Sequence, residues 1–293
     1  MDHHGELAVQ ARTGVRVTPW GSARVSSSIP PVAARFLSEQ PMIVIGAAAN
    51  DGSIWAGLLV GPPGFVAATD DRTVVVDTLP GPLDPLAGLF DSPREIGILA
   101  IDPKTRRRMR INGGALNTGD KLVVRTEQVY ANCPKYIQVR EPSPAKPGSV
   151  QIHRGELLTT EQQKRIATAD TFFVATHAEG LGADVSHRGG NPGFVSVSTE
   201  RRLSWPDYAG NQMYMTLGNL ELDARCGLLF LDWERGGALH LTGRAHVDWD
   251  PGRAAAVPGA KQMIDFDVEH VVQIEGAYPL RWSFGDYSRF NPR

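Results

Sequence analysis

The chain has 293 residues and a formal net charge of −2, with 42% apolar and 21% charged residues. That length buries a core without disulfide or metal staples, and the near-neutral charge argues against a nonspecific nucleic-acid binder, which carries a basic excess. The longest apolar runs, such as Gly227 to Leu231, are far too short to span a bilayer, so no membrane partner is expected.

In chain order, the first residues, with His3, His4 and Glu6, lack the basic-then-apolar pattern of a secretory signal. Cys133 and Cys226 have neither zinc-ligand nor redox spacing, so a reducing, cytoplasmic location is expected. A helix is predicted over Pro31 to Gln40. Short strands follow at Met42 to Ala47, Gly57 to Val60, Gly64 to Ala68, Thr73 to Val76, Ile96 to Ile101 and Arg108 to Asn112, split by Asp-Gly, Gly-Pro and Asp-Pro turns. "NTGDKLVVRTEQVY" reads as a turn and then a strand. Short strands at this spacing predict a barrel or sandwich. "EPSPAKPG", residues 141–148, holds three prolines and a glycine, which deny helix and central strand. It marks the expected joint between a first unit, 1–145, and a second, 146–293. A second helix is predicted over Thr160 to Thr168, with Thr159 or Thr160 as N-cap and Glu161 in its first turn.

The two units repeat each other. Pro63-Gly64-Phe65-Val66 returns 129 positions later as Pro192-Gly193-Phe194-Val195. Gly97 to Asp102 returns 130 later as Gly227 to Asp232, and Met109 to Gly113 returns 130 later as Leu239 to Gly243. His3 to Leu7 and His153 to Leu157 look like a further pair, 150 apart.

The copies differ just before Pro-Gly-Phe-Val. The second carries Ser186, His187, Arg188, Gly189 and Gly190: hydroxyl, cation and close backbone approach, the set that a phosphate needs. A surface turn with an exposed arginine is the bland reading. Within "PDYAGNQMYMTLGNLELD", residues 206–223, Asn211, Gln212, Thr216 and Asn219 suit the edge of a heteroaromatic ring. There Met213, Met215 and Leu217 alternate as on a strand, and a polar strand with a Gly-Asn hairpin is the plain alternative. Arg106, Arg108 and Arg110 alternate too, sharing either a solvated face or one that neutralises a phosphate in the other half. The histidines lack ligand spacing with a third partner, so no metal is expected. No Gly-x-Ser-x-Gly elbow supports a hydrolase.

"GADVSHRGGNPGFV", "DYAGNQMYMTLGNLELD" and "GLLFLDWERGGALHLTGRA" together resemble the split-barrel flavoproteins related to pyridoxamine 5'-phosphate oxidase. In the first half "DGSIWAGLLVGPPGFV", "GILAIDPKTRRRMRINGG" and "NCPKYIQ" resemble that group's long, two-barrel members. The resemblance implies a mainly β fold with a few helices (α+β): two tandem split β-barrels related by internal duplication, with FMN in a groove between barrels. It implies that Ser186, His187, Arg188, Gly189, Asn211, Thr216 and Asn219 lie near the flavin or its phosphate. Lys135, Tyr136 and Gln138, with Arg108 and Arg110, would approach from the other barrel. The oxidase's Arg-x-x-x-x-Lys strand and Ser-Arg-Lys block are missing, so oxidation of pyridoxamine phosphate is not implied.

The leading functional expectation is an FMN-dependent oxidoreductase acting on a small organic substrate, with a separate electron donor or acceptor. His187 is its candidate acid or base. A non-catalytic module binding flavin, deazaflavin or haem is the alternative, and a ligand-free structural pseudo-dimer the third. The chain pairs its barrels internally or forms a homodimer, with one FMN per chain either way.

Overall fold

Strand β1 (Met42–Ala48) is apolar on both faces, because the two faces serve different cores. Ile43, Ile45 and Ala47 enter one cluster, while Met42 and Val44 enter another. A computed structural model describes residues 3–15 and 25–293. In chain order, α1 (His4–Arg12) and α2 (Pro31–Ser38) precede β1, β2 (Ile54–Val60), β3 (Val66–Asp70), β4 (Thr73–Val76), β5 (Arg94–Asp102), β6 (Arg107–Asn117) and β7 (Leu122–Ala131). Then come β8 (Arg140–Pro144), β9 (Gln151–Gly155), α3 (Thr160–Thr168), β10 (Thr171–Ala178), β11 (Gly182–Gly189), β12 (Ser196–Thr199) and β13 (Arg202–Tyr208). The chain closes with α4 (Met215–Leu222), β14 (Arg225–Asp232), β15 (Gly237–Asp248), α5 (Pro251–Ala255), β16 (Ala260–Glu275) and β17 (Leu280–Phe284).

The fold is mainly β, and the repeat is topological. The first sheet has the order β2-β1-β5-β6-β7-β4-β3 and the second β11-β10-β14-β15-β16-β13-β12, with every pairing antiparallel. Equivalent local devices recur. Gly64 donates to Ser38 O at 2.7 Å and Gly193 to Ala167 O at 2.9 Å, each tying the turn before the third strand to the preceding helix. Both glycines have positive φ, 96° and 93°, which explains why the Pro-Gly pair recurs. Register shifts follow Asn112 and Thr242, and a Cβ at Gly113 or Gly243 would sit 2.0 Å from a carbonyl of the neighbouring strand.

Each sheet wraps its own core. The first is built on Ile43, Phe65, Ile98 and Ile111, and the second on Phe172, Trp205, Leu228 and Phe266. A third core joins the sheets through Val44, Leu58, Leu99, Phe173, Val185 and Leu229. The joint is close-packed: a Cβ at Gly97 would lie 2.7 Å from Asp184 Cα, and one at Gly227 would lie 2.6 Å from Ile54 O. Those two glycines are one of the repeats read in the sequence.

Three expectations change. Residues 206–223 are not one strand: β13 ends at Tyr208, a loop follows, and the remainder is α4. Met215 through Leu220 are all buried, so no helical polar face shows, and the alternation of Met213, Met215 and Leu217 mimics a strand. The pair His3–Leu7 and His153–Leu157 is not structural, since the first lies in helix α1 and the second runs through strand β9. Residues 141–148 avoid helix and central strand as read, but the joint is itself paired: β8 joins β17 in a two-stranded ribbon, where proline is tolerated because every strand is an edge. The expected cap holds: Thr159 makes a reciprocal capping box with Gln162. No helix among the described residues is long and apolar enough to cross a membrane.

The close joint makes a stability prediction. Gly97→Val should cost about 2 kcal/mol or more through overpacking against Asp184. Gly114→Ala, where nothing lies within 4 Å of the added carbon, should change stability by no more than about 0.5 kcal/mol. Urea unfolding of the two variants checks the contrast.

Candidate functional site

Strand β11 is the edge of the second sheet, and its alternation sends Asp184, Ser186 and Arg188 one way and Val185, His187 and Gly189 the other. Asp184, 1% exposed, accepts from Arg110 Nη1 at 2.8 Å, the Tyr130 hydroxyl at 3.0 Å and Asn112 Nδ2 at 3.4 Å. These donors stand on β6 and β7 of the first half. Ser186 shares a hydrogen bond with the Thr216 hydroxyl on α4 at 2.9 Å. Arg188 stands 3.6 Å from Asp207 at the end of β13.

Between these groups lies a cleft of about 70 Å³, bordered by Arg110, Asn132, Arg188, Asp207, Asn211 and Thr216. Its far wall is the first turn of α4, entered through Gln212 and Tyr214, both with φ of 63°. Four buried polar atoms of the lining have no hydrogen-bond partner among the described residues: Arg110 Nε, Arg188 Nε, Asn211 Nδ2 and Asn132 Oδ1. Three are donors. A helix start, two guanidinium groups and an amide are the donor types that phosphoryl oxygens accept from, and the volume holds about two water-sized groups.

Burial governs the charges. It lowers the Arg188 pKa and raises that of Asp207, each only partly offset by its partner, so the 3.6 Å pair leaves both charges under-compensated. Burial also opposes the charge on Arg110, but Asp184 and Tyr130 outweigh it and hold the guanidinium firmly protonated. Arg108 is pushed down to about 10, chiefly by burial. His187, 3% exposed, is driven well below its ordinary range by burial and then by Arg108, Arg188, Arg140 and Arg110. It is therefore neutral. Arg108 Nη1 lies 2.9 Å from His187 Nδ1, and arginine can only donate, so the ring proton sits on Nε2, which has no partner among the described residues.

The structure brings Arg110, Arg188, Asn211 and Thr216 together at the cleft. Lys135 and Tyr136 reach its rim, both donating to Ala209 O, with the Tyr136 ring 5.1 Å from Tyr208. The others serve the frame. Asn219 donates to Thr176 and faces His3 of α1; Gln138 donates to Tyr136 O, Asp170 O and Gly190 O and accepts from Ser288 and Asn291. A Cβ at Gly189 would meet Tyr136 O at 2.0 Å, so that glycine permits the approach of the 132–138 segment. Arg108 binds Cys133 O and His187 rather than the cleft. Arg106 sits at φ 54° in the turn before β6, off the shared face.

Sequence reasoning missed Asp184 and Asp207, the counter-ions, because an acidic residue beside an arginine across two elements leaves no spacing. It also missed Glu6. Helix α1 packs on α4, with Gly5 against Gly218, and carries the Glu6 carboxyl toward Asp184 and Arg110. Burial, and then Asp184, raise Glu6 to about 7, against a weaker lowering by Arg110.

No family model matches the chain, and no curated protein matches it. Among solved structures it is similar to a variant of HupZ from Group A Streptococcus, with 15% identity over 40% of this chain and 99% of that one, TM-score 0.33. It is similar to a candidate pyridoxamine 5'-phosphate oxidase from Lactobacillus delbrueckii, with 18% identity over 40% and 94%, TM-score 0.32. An FMN-binding protein from Syntrophomonas wolfei matches with 11% identity over 39% and 84%, TM-score 0.30.

Glu6 makes stability depend on pH. The folded chain keeps the proton to about pH 7 whereas a free glutamate loses it near 4.5, so stability should fall as pH rises across that window and level off above it. Glu6→Gln should remove this slope and stabilise the protein at pH above 7 on the order of 2 kcal/mol, allowing for the side chain's contact with water. Thermal unfolding across pH compares the two proteins; an unchanged slope in the variant would sink the assignment.

Proposed function

We propose that the chain is an FMN-binding oxidoreductase of the pyridoxamine 5'-phosphate oxidase-like group, with the phosphate at the Arg188 cleft. The observation that carries this reading is the convergence of unpartnered Arg110 Nε, Arg188 Nε and Asn211 Nδ2 on the first turn of α4. A phosphate monoester supplies the acceptors these donors lack. The sequence resemblance of "GADVSHRGGNPGFV" and "DYAGNQMYMTLGNLELD" to split-barrel flavoproteins supports FMN over other phosphates.

Bound there, the flavin supplies electron transfer to or from a small organic substrate, with a separate donor or acceptor completing turnover. The chain's own residues hold it. Arg188, only loosely paired with Asp207, turns its free N–H to the phosphate. Arg110 is positioned by Asp184 and adds a second cation. Asn211 and the Thr216 hydroxyl complete the cradle, and Lys135 and Tyr136 close the rim. His187, on the opposite face of β11 from Arg188, is fixed by Arg108, and its depressed pKa removes it as a base poised near neutrality.

The reading gives one site per chain. By the 129-position offset, Ser186, His187 and Arg188 correspond to Gly57, Leu58 and Leu59, and by the 130 offset Arg110 corresponds to His240. In the first half Leu58 joins the apolar joint, and Asp84 and Leu86 pack against Gly57, in the place of the Ser186–Thr216 pair. We read this as internal duplication followed by loss of one phosphate site. Groups from both halves of one chain complete the remaining site, so a monomer suffices for binding. Free Cys133 and Cys226 accord with a cytoplasmic location.

The purified protein should show flavin absorption bands or take up added FMN, at one equivalent per chain. Arg188→Ala should weaken FMN binding about tenfold to a hundredfold, the worth of a charge-assisted hydrogen bond. A colourless protein that refuses FMN defeats the proposal, a Soret band replaces it with a haem-binding module, and two flavins per chain defeats the single-site reading.

A further inference from the structure

The turn from β5 to β6 delivers three consecutive arginines, Arg106, Arg107 and Arg108, and none has a carboxylate within ion-pair distance among the described residues. The nearest acid in sequence, Asp102, is occupied in shaping the turn, accepting from the Lys104 and Thr105 amides. Between this turn and α2 lies a chamber of about 510 Å³, much larger than the phosphate cleft and within the usual range of small-molecule sites. Its walls are apolar: Val32 and Phe36 on α2, Met109 on β6, Ala131 and Pro134. Among the described residues, no Asp or Glu lines it.

The three arginines are not alike. Arg106 spends its N–H groups on Ile137 O and Tyr287 O, and Arg108 on Cys133 O and His187. Arg107 makes no side-chain hydrogen bond among the described residues, and its guanidinium lies 4.7 Å over the Phe36 ring. Stacking occupies the face of a guanidinium and leaves its N–H edge free for a carboxylate or phosphate. An apolar chamber with unpaired positive charge of one sign selects its ligand from two directions. A cation meets three arginines. A small, strongly hydrated anion gains nothing from Val32, Phe36 and Met109 for the water it loses.

We propose that this chamber binds an amphiphilic organic anion, with a bulky apolar body against Val32, Phe36 and Met109 and a carboxylate, sulfonate or phosphate on Arg107. Asn132 borders both this chamber and the phosphate cleft, so the two ligands would be neighbours. That the anion is the substrate of the flavin rests on the function proposed above. The binding itself does not, and it is tested without FMN.

Anilinonaphthalene sulfonate and its neutral parent, N-phenylnaphthylamine, share one apolar body and differ by the anion. Fluorescence titration of the full chain should show the sulfonate binding about tenfold tighter than the neutral probe, the worth of one charge-assisted contact. Arg107→Gln should abolish that difference. Val32→Glu, an exposed position in the first turn of α2 where an acid suits the helix dipole, should weaken the sulfonate more than the neutral probe, which loses only an apolar contact. Equal binding of both probes, or sulfonate binding unmoved by either substitution, overturns the proposal. FMN uptake measured on the same variants should be unchanged, so a failure here and a failure of the flavin reading give different results.

Discussion

The two sheets meet where Gly97 lets the backbone of Asp184 come close, and where Gly227 does the same for the turn of β2 at Ile54 and Trp55. Everything at the candidate site depends on that spacing. A side chain at either glycine would push the sheets apart by more than the slack in a hydrogen bond. Arg110, Tyr130 and Asn112 reach Asp184 at 2.8 to 3.4 Å only because the joint is closed on glycine. The same contact carries β11, with Ser186 and Arg188, to its place against α4 and β13. An apolar joint would hold the sheets together but would not set one register; the glycine contacts and the buried Arg110–Asp184 pair do so together. Breaking that pair from one side would strand a buried charge, which is why a site of this kind is rigid.

Electrostatically the joint separates two kinds of arginine. Arg110 is paired with and positioned by Asp184, while Arg188 and Arg107 hold charge that their surroundings do not cancel. Burial then pushes the neighbouring acids, Asp207 and Glu6, toward their protonated forms. Both shifts reduce the negative charge that faces these cations. Burial among four arginines likewise favours the neutral form of His187.

Much of the frame was legible in residues. Turn dipeptides bounded the strands of the first half, an N-cap at Thr159 or Thr160 announced α3, and three repeats with offsets of 129 and 130 located equivalent turns and strands. The difference between Leu58-Leu59 and His187-Arg188 pointed to the half that carries the polar groups. What failed has separate causes. Helix α4 was taken for a strand because a segment buried on all sides has no polar face to reveal its period. The His3–Leu7 echo misled because four matching letters in five say nothing about whether a segment packs as helix or strand. Gln138 and Asn219 looked like ligand groups by their chemistry, yet both are saturated by internal partners that lie far away in the chain.

Local chemistry is written in sequence because it acts over a few residues: turns, caps, alternation and the glycines that a tight contact demands. Those features determined the strands and the repeat, and they marked β11 as the place where the two copies differ. Which polar groups remain unpartnered is a property of distances between elements, and only the tertiary structure decided it. Arg188 and Gln138 are equally polar in the chain; one faces a cleft with a free N–H and the other has every bond made. That division depends on Asp184, Asp207 and Glu6, whose proximity arises from the packing of two sheets and a helix, and no spacing along the chain encodes it.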